Sequence, residues 1–99
     1  MKHKLFTSVF NGEESFLTDH KIGGLKVLPG AIYLELVRIA GEYAMEESVK
    51  VIKNVEWLHP IVFMNDSSKE VHVELHEKDN QVNFKVFTEA KTVEIIHCK

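Results

Sequence analysis

Three groups of residues in this sequence have types and spacings that could do chemistry. The first is a histidine ahead of a glycine and a proline: His20, Gly24 and Pro29 fall as His-x3-Gly-x4-Pro. Histidine is the side chain whose ordinary pKa leaves it neutral, and so able to act as a base, near pH 7. Backbone N–H groups at a helix start can face an oxygen that gains negative charge, helped by the helix dipole. A base beside such donors suits the removal of a weakly acidic proton next to a carbonyl. On spacing alone, His20 is equally well a loop histidine with no role.

The second group is Glu35, Arg38 and Glu42, separated by three and four residues. On a helix these share one face and form ion pairs. The third is His72, Glu74 and His76, which alternate onto one face of a strand, with His97 further on. Three histidines can make a zinc site. Polar residues on a strand face are far more often simply solvated, and that reading is preferred, so no metal is expected. Cys98 has no basic helix setting to activate it. His59, before Pro60, is read as structural, and Trp57 as core or interface rather than a platform for substrate.

The elements that must position these residues follow from the hydrophobic pattern. Residues 4–10 read as a short strand and Asn11-Gly12 as a turn. Residues 13–29 read as a loop holding at most one short strand. The spacing predicts a helix over 30–45, opened by Pro29, which loses nothing by lacking an N–H there. Its polar residues form one narrow stripe at Glu35, Arg38 and Glu42, so the helix is expected to be mostly buried. Residues 49–63 read as a long strand interrupted at Pro60. Turns are expected at 65–68 and 78–80. Strands are expected at 70–76, with Val71, Val73 and Leu75 inward, at 81–87, with Val82, Phe84 and Val86 inward, and at 92–98. A single apolar helix beside a run of antiparallel strands points to an α+β fold, a curved antiparallel sheet of five or more strands around one central helix.

The bulk numbers narrow the function classes. Ninety-nine residues make one domain, and 44% hydrophobic with 27% charged is ordinary for a globular one. The net charge of −3, without a cluster of basic residues, argues against nucleic-acid binding. The single cysteine cannot form an internal disulfide. No signal peptide and no apolar run long enough to cross a membrane is read, so the expected location is the cytoplasm.

The segment Phe16-Leu17-Thr18-Asp19-His20 through Gly24 to Leu28-Pro29-Gly30-Ala31-Ile32-Tyr33-Leu34-Glu35 resembles the active-site region of polyketide synthase dehydratase domains. Lys53-Asn54-Val55-Glu56-Trp57-Leu58-His59-Pro60-Ile61 resembles the strand that follows their central helix. The resemblance covers nearly the whole chain. It implies the hotdog fold, with residues 1–99 forming a single hotdog, the N-terminal half of a double-hotdog dehydratase. It implies loss of water from 3-hydroxyacyl thioesters carried on the phosphopantetheine arm of an acyl carrier protein. His20 is then the base, and a backbone N–H in the Gly24–Gly30 turn, which includes Pro29, meets the thioester carbonyl. The acid in the family is an aspartate of the C-terminal half. Asp19 is not that residue by position. The sequence is therefore expected to be a piece of a larger synthase, weak or inactive alone, needing a C-terminal hotdog half or a second copy. No cofactor is expected. Two alternatives stay open: a hotdog scaffold or dimerisation module without catalysis, and a homodimeric single-hotdog hydratase or dehydratase. The latter would use Glu35, at the position of the glutamate in single-hotdog β-hydroxyacyl carrier protein dehydratases.

Overall fold

In the computed structural model, residues 3–22, 24–47, 49, 51–63, 68–79, 81–90 and 93–99 are described. Strand β1 is His3–Phe10, helix α1 Ser15–Thr18, and the two short strands β2 and β3 are Lys21–Ile22 and Leu25–Val27. Helix α2 runs Gly30–Met45. Strands β4, β5, β6 and β7 are Val62–Phe63, Lys69–Lys78, Gln81–Ala90 and Val93–Cys98. Every pairing is antiparallel, in two sheets of order β1-β5-β6-β7 and β2-β3-β4. The architecture is the α+β one expected, with α2 lying against the inner face of the larger sheet.

The core forms where the two periodicities meet. Tyr33, Val37 and Ala40 of α2 are spaced to share one helical face, and they pack on Val71, Val73 and Leu75, alternate residues of β5. Val86, Cys98, Phe10 and Phe63 close the cluster, and Leu17, Leu28 and Ile61 extend it beneath the β2–β3 hairpin. Helix α2 starts at Pro29, whose φ of −63° and ψ of 146° are extended, and ends at Glu46 in the left-handed region with φ 58°.

Four expectations are corrected. The long strand over 49–63 does not form. Its described residues are mostly irregular, with one bridge from Trp57 to Cys98 and strand only at Val62–Phe63. Asn54 takes φ 58°, which no strand accommodates, and Pro60 removes a ladder donor. The strands do not join one sheet of five or more, because β2, β3 and β4 form their own. The loop expected over 13–29 instead holds α1 and two strands. Finally, α2 is covered on one side rather than all round: Tyr33, Val37, Ala40 and Gly41 are buried, while Ile39 and Tyr43 lie 46% and 79% exposed on the stripe that also carries Glu35. Apolar character around the helix wheel did not translate into burial, since one sheet can cover only one face.

The turn expected at 65–68 falls largely outside the described residues, as does Gly23, whereas the one expected at 78–80 joins β5 to β6, with Asp79 at φ 52° and Asn80 outside the described residues. The strand faces come out nearly as expected, with Val71, Val73, Leu75 and Val86 buried and Val82 and Phe84 partly so. The outer face holds two exceptions, the cross-strand partners His72 and Phe87, the latter 6% exposed. His72 is only 8% exposed, bonded through Nδ1 to the Thr7 hydroxyl at 2.8 Å and lying 5.0 Å from the Phe87 ring.

Candidate active site

The site is built outward from α1. This single turn buries Leu17 completely, and its end delivers His20, whose N–H donates to the Leu17 carbonyl at 3.2 Å. His20 then stands at the open end of the β2–β3 hairpin, opposite Val27. The Val27 N–H donates to the His20 carbonyl at 3.1 Å, and the ring nitrogen Nδ1 lies 2.8 Å from the Val27 carbonyl oxygen. A carbonyl only accepts, so Nδ1 carries the proton, and Nε2 is left with its lone pair. The imidazole is partly exposed.

The hairpin itself is anchored at both ends. Lys26 of β3 donates from Nζ to the Gly12 carbonyl at 2.8 Å and pairs with Glu13 at 3.3 Å. Glu14 turns its carboxylate back onto the N–H groups of Asn11 and Gly12 at 3.1 and 3.0 Å. At the hairpin tip Gly24 takes φ +82°, a region that L side chains rarely adopt, and the space around it is open. The glycine therefore serves the turn.

From Val27 the chain passes directly into the helix. The Leu28 N–H donates to the Ile61 carbonyl at 3.0 Å, and the Ile61 N–H donates to the buried Tyr33 hydroxyl at 2.9 Å. One residue thus clamps the approach to the helix and the helix itself. Burial raises the Tyr33 phenol above its ordinary range, so it stays protonated. Within the turn expected to supply an oxyanion donor, Val27 and Leu28 have engaged N–H groups and Pro29 has none. Gly30, exposed, opens α2.

Trp57, expected in the core or at an interface, is not in the core: it is 52% exposed, its ring 5.5 Å from that of Tyr33. A Cβ on Gly30 would lie 3.4 Å from its Cη2. The indole therefore rests on the first residue of α2.

The remaining candidates do not join this cluster. Glu35 pairs with Arg38, which also reaches Glu42 at 2.9 Å, all on the exposed stripe of α2. The Arg38 hydrogen bond holds the Glu35 carboxyl below its usual range. His97 is buried, with Nε2 2.7 Å from the Thr88 hydroxyl and Nδ1 donating to the His59 carbonyl at 2.9 Å. Burial of Cys98 pushes its thiol up to about 11. Among the described residues no group of His, Cys, Asp and Glu is arranged to hold a metal ion, and no helix is long and apolar enough to cross a membrane. A cavity of about 590 Å³ opens elsewhere, along the C-terminal half of α2 between Val37, Met45, Ile52, Val82 and Phe84. None of the residues described above as the site lines it.

A family model described as polyketide synthase dehydratase domain matches residues 1–89. Among curated proteins, the chain is 38% identical over 103 residues to polyketide synthase PksM of Bacillus subtilis (strain 168), a match covering 95% of this chain and 2% of that one. It is 38% identical over 106 residues to polyketide synthase PksN of the same strain, covering 100% and 2%. Among solved structures, a trans-AT PKS dehydratase domain from Brevibacillus brevis superposes with a TM-score of 0.82 at 30% identity, over 97% of this chain and 38% of that one. The dehydratase domain from the CurF module of the curacin polyketide synthase superposes with a TM-score of 0.88 over 98% of this chain and 37% of that one. At 22% identity that second likeness speaks for the fold alone. The chain thus spans only a small part of the synthases it resembles and little over a third of the solved domains. On these matches, with a hotdog architecture and the His20–Gly24–Pro29 spacing in place, the chain belongs to the polyketide synthase dehydratase domain family.

Proposed function

We propose that this chain is the histidine-bearing half of a dehydratase that removes water from 3-hydroxyacyl thioesters held on an acyl carrier protein. The observation that carries the reading is the 2.8 Å contact between His20 Nδ1 and the Val27 carbonyl. It leaves Nε2 as the base. The C2 proton of the substrate passes to Nε2, the C2–C3 double bond forms, and the C3–O bond breaks. The leaving hydroxyl takes a proton from an acid and departs as water.

The Gly30 N–H at the start of α2 receives the thioester carbonyl oxygen, where the helix dipole favours the charge that builds there. The acid comes from a C-terminal hotdog half. Support for that assignment is electrostatic: the exposed carboxyl in this chain at the expected helix position, Glu35, is held as a carboxylate by Arg38. A carboxylic acid protonates a leaving hydroxyl only when it retains its proton. The same pairing weighs against the homodimeric reading with Glu35 as acid. The cytoplasm, where carrier-bound acyl chains are made, is the location that goes with this reading.

The test is dehydration of a 3-hydroxyacyl thioester by an assembly containing both halves. His20→Ala is expected to abolish turnover while the circular dichroism spectrum is kept. A variant that keeps near wild-type rate rules the assignment out.

A further inference from the structure

We propose that Trp57 is a substrate-positioning residue whose indole packs against the sulfur-bearing end of the thioester. The proposal rests on the dehydratase reading above, because it takes the carbonyl to be received at Gly30.

The indole is held firmly for a half-bare aromatic ring. Its backbone is fixed on β7 from both sides: Glu56 and Lys99 exchange hydrogen bonds of 2.7 and 3.1 Å, and the Leu58 N–H donates to the His97 carbonyl at 2.9 Å. Its ring leans on Tyr33 at 5.5 Å with an interplanar angle of 53°, and Tyr33 is itself locked by the Ile61 N–H. Its edge lies beside Gly30, where an added Cβ would come into ordinary contact with it at 3.4 Å. So the large apolar face of Trp57, 52% exposed, stands rigidly beside the N–H that opens α2.

That placement has a chemical consequence. In a thioester the sulfur is bonded to the same carbon as the carbonyl oxygen. An oxygen bound at Gly30 brings both other substituents of that carbon, C2 and the sulfur, close to what flanks Gly30; with C2 given to His20, the sulfur is left for Trp57. Sulfur is polarisable and makes favourable contacts with aromatic rings. A tryptophan offers the largest such surface at little entropic cost, since it has only two χ angles to order. Trp57 acts here on the common thioester end of the substrate and not on its variable acyl tail.

The experiment uses the chain joined to the C-terminal half of its dehydratase domain, with the pantetheine thioester of 3-hydroxybutyrate as probe. Trp57→Ala is expected to raise KM about tenfold, the size of one aromatic contact, while the pH profile of kcat stays put. Trp57→Phe restores KM to within about threefold of wild type. Trp57 is the single tryptophan of this chain, so its emission in the joined protein is read as the difference from the Trp57→Phe variant. In His20→Ala, which binds without turnover, the thioester is expected to shift the emission saturably, and His20→Ala with Trp57→Phe loses that shift. A KM within about twofold of wild type for Trp57→Ala overturns the proposal, as does unchanged emission in His20→Ala. Where Trp57→Ala fails to fold, Trp57→Phe and the emission titration decide. An inactive His20→Ala with a normal KM for Trp57→Ala sinks the role of Trp57 and leaves the dehydratase reading intact. A saturable shift without any dehydration by wild type does the reverse.

Discussion

At the scale of single residues, what matters is which groups are tied and which are left with capacity. His20 spends one nitrogen on Val27 and keeps the other. Glu35 has its carboxylate engaged by Arg38, so its removal should cost little. Exposed ion pairs contribute little after screening and side-chain entropy. Glu35→Gln is expected to shift the urea midpoint only slightly and to leave dehydration by the two-half assembly unchanged. A large loss of turnover in that variant would show that Glu35 is the acid after all. Tyr33 differs, because its hydroxyl satisfies a buried N–H. Tyr33→Phe is expected to cost about 1–3 kcal/mol in denaturant unfolding, the usual penalty for a stranded donor. It should also loosen the stretch from Ile61 to Leu28, which amide exchange at Leu28 would report as lost protection.

At the scale of elements, the hairpin, the helix start and the 56–58 segment are held together by a few bonds from different parts of the chain. The 56–58 segment is fixed partly through His97, whose Nδ1–H donates to the His59 carbonyl. Burial, with small additions from Lys69 and the His59 ring, holds the pKa of His97 below its ordinary 6.5, and the bond to the carbonyl opposes this. The unfolded chain therefore binds a proton at a higher pH than the folded one. Stability from this group is present above about pH 6.5 and is lost as the pH falls towards the lower folded value. The expected result is a urea midpoint that drops between neutral and mildly acidic pH, with a smaller drop in His97→Asn. Equal slopes in the two proteins would remove His97 as the cause.

At the scale of the whole molecule, the larger sheet is open at its β7 edge. Among the described residues, β7 is the last strand in the order, and only its end meets the 56–58 segment. Along that edge Val93, Ile95 and Leu58 are 62%, 37% and 43% exposed. Open edges and apolar surface invite pairing. The purified chain is expected to sediment as a dimer or larger species at roughly tens of micromolar, and adding the C-terminal half should displace that self-association. A clean monomer at such concentrations would refute the self-association.

The sequence by itself determined the pieces whose signals are local. Helix 30–45 was legible to the residue because Pro29 marks its start and its polar residues Glu35, Arg38 and Glu42 recur at spacings of three and four. The inward faces of β5 and much of β6 were legible because a strand alternates every two residues. The candidate base was singled out by the spacing of His20, Gly24 and Pro29 together with the flanking residues that carry the family resemblance, and its role stands as a proposal. Tertiary structure alone decided what depends on distant partners. No local signal announced that 49–61 would stay mostly irregular, since strand-forming residues make a strand only when a neighbour's N–H and C=O groups lie in register. The exposed stripe of α2 was set by how far one sheet reaches around a helix. The proton on His20 Nδ1 was set by the carbonyl of Val27, seven residues away. The indole of Trp57 came to rest on Gly30 because hydrogen bonds to β7, forty residues further along, hold it there.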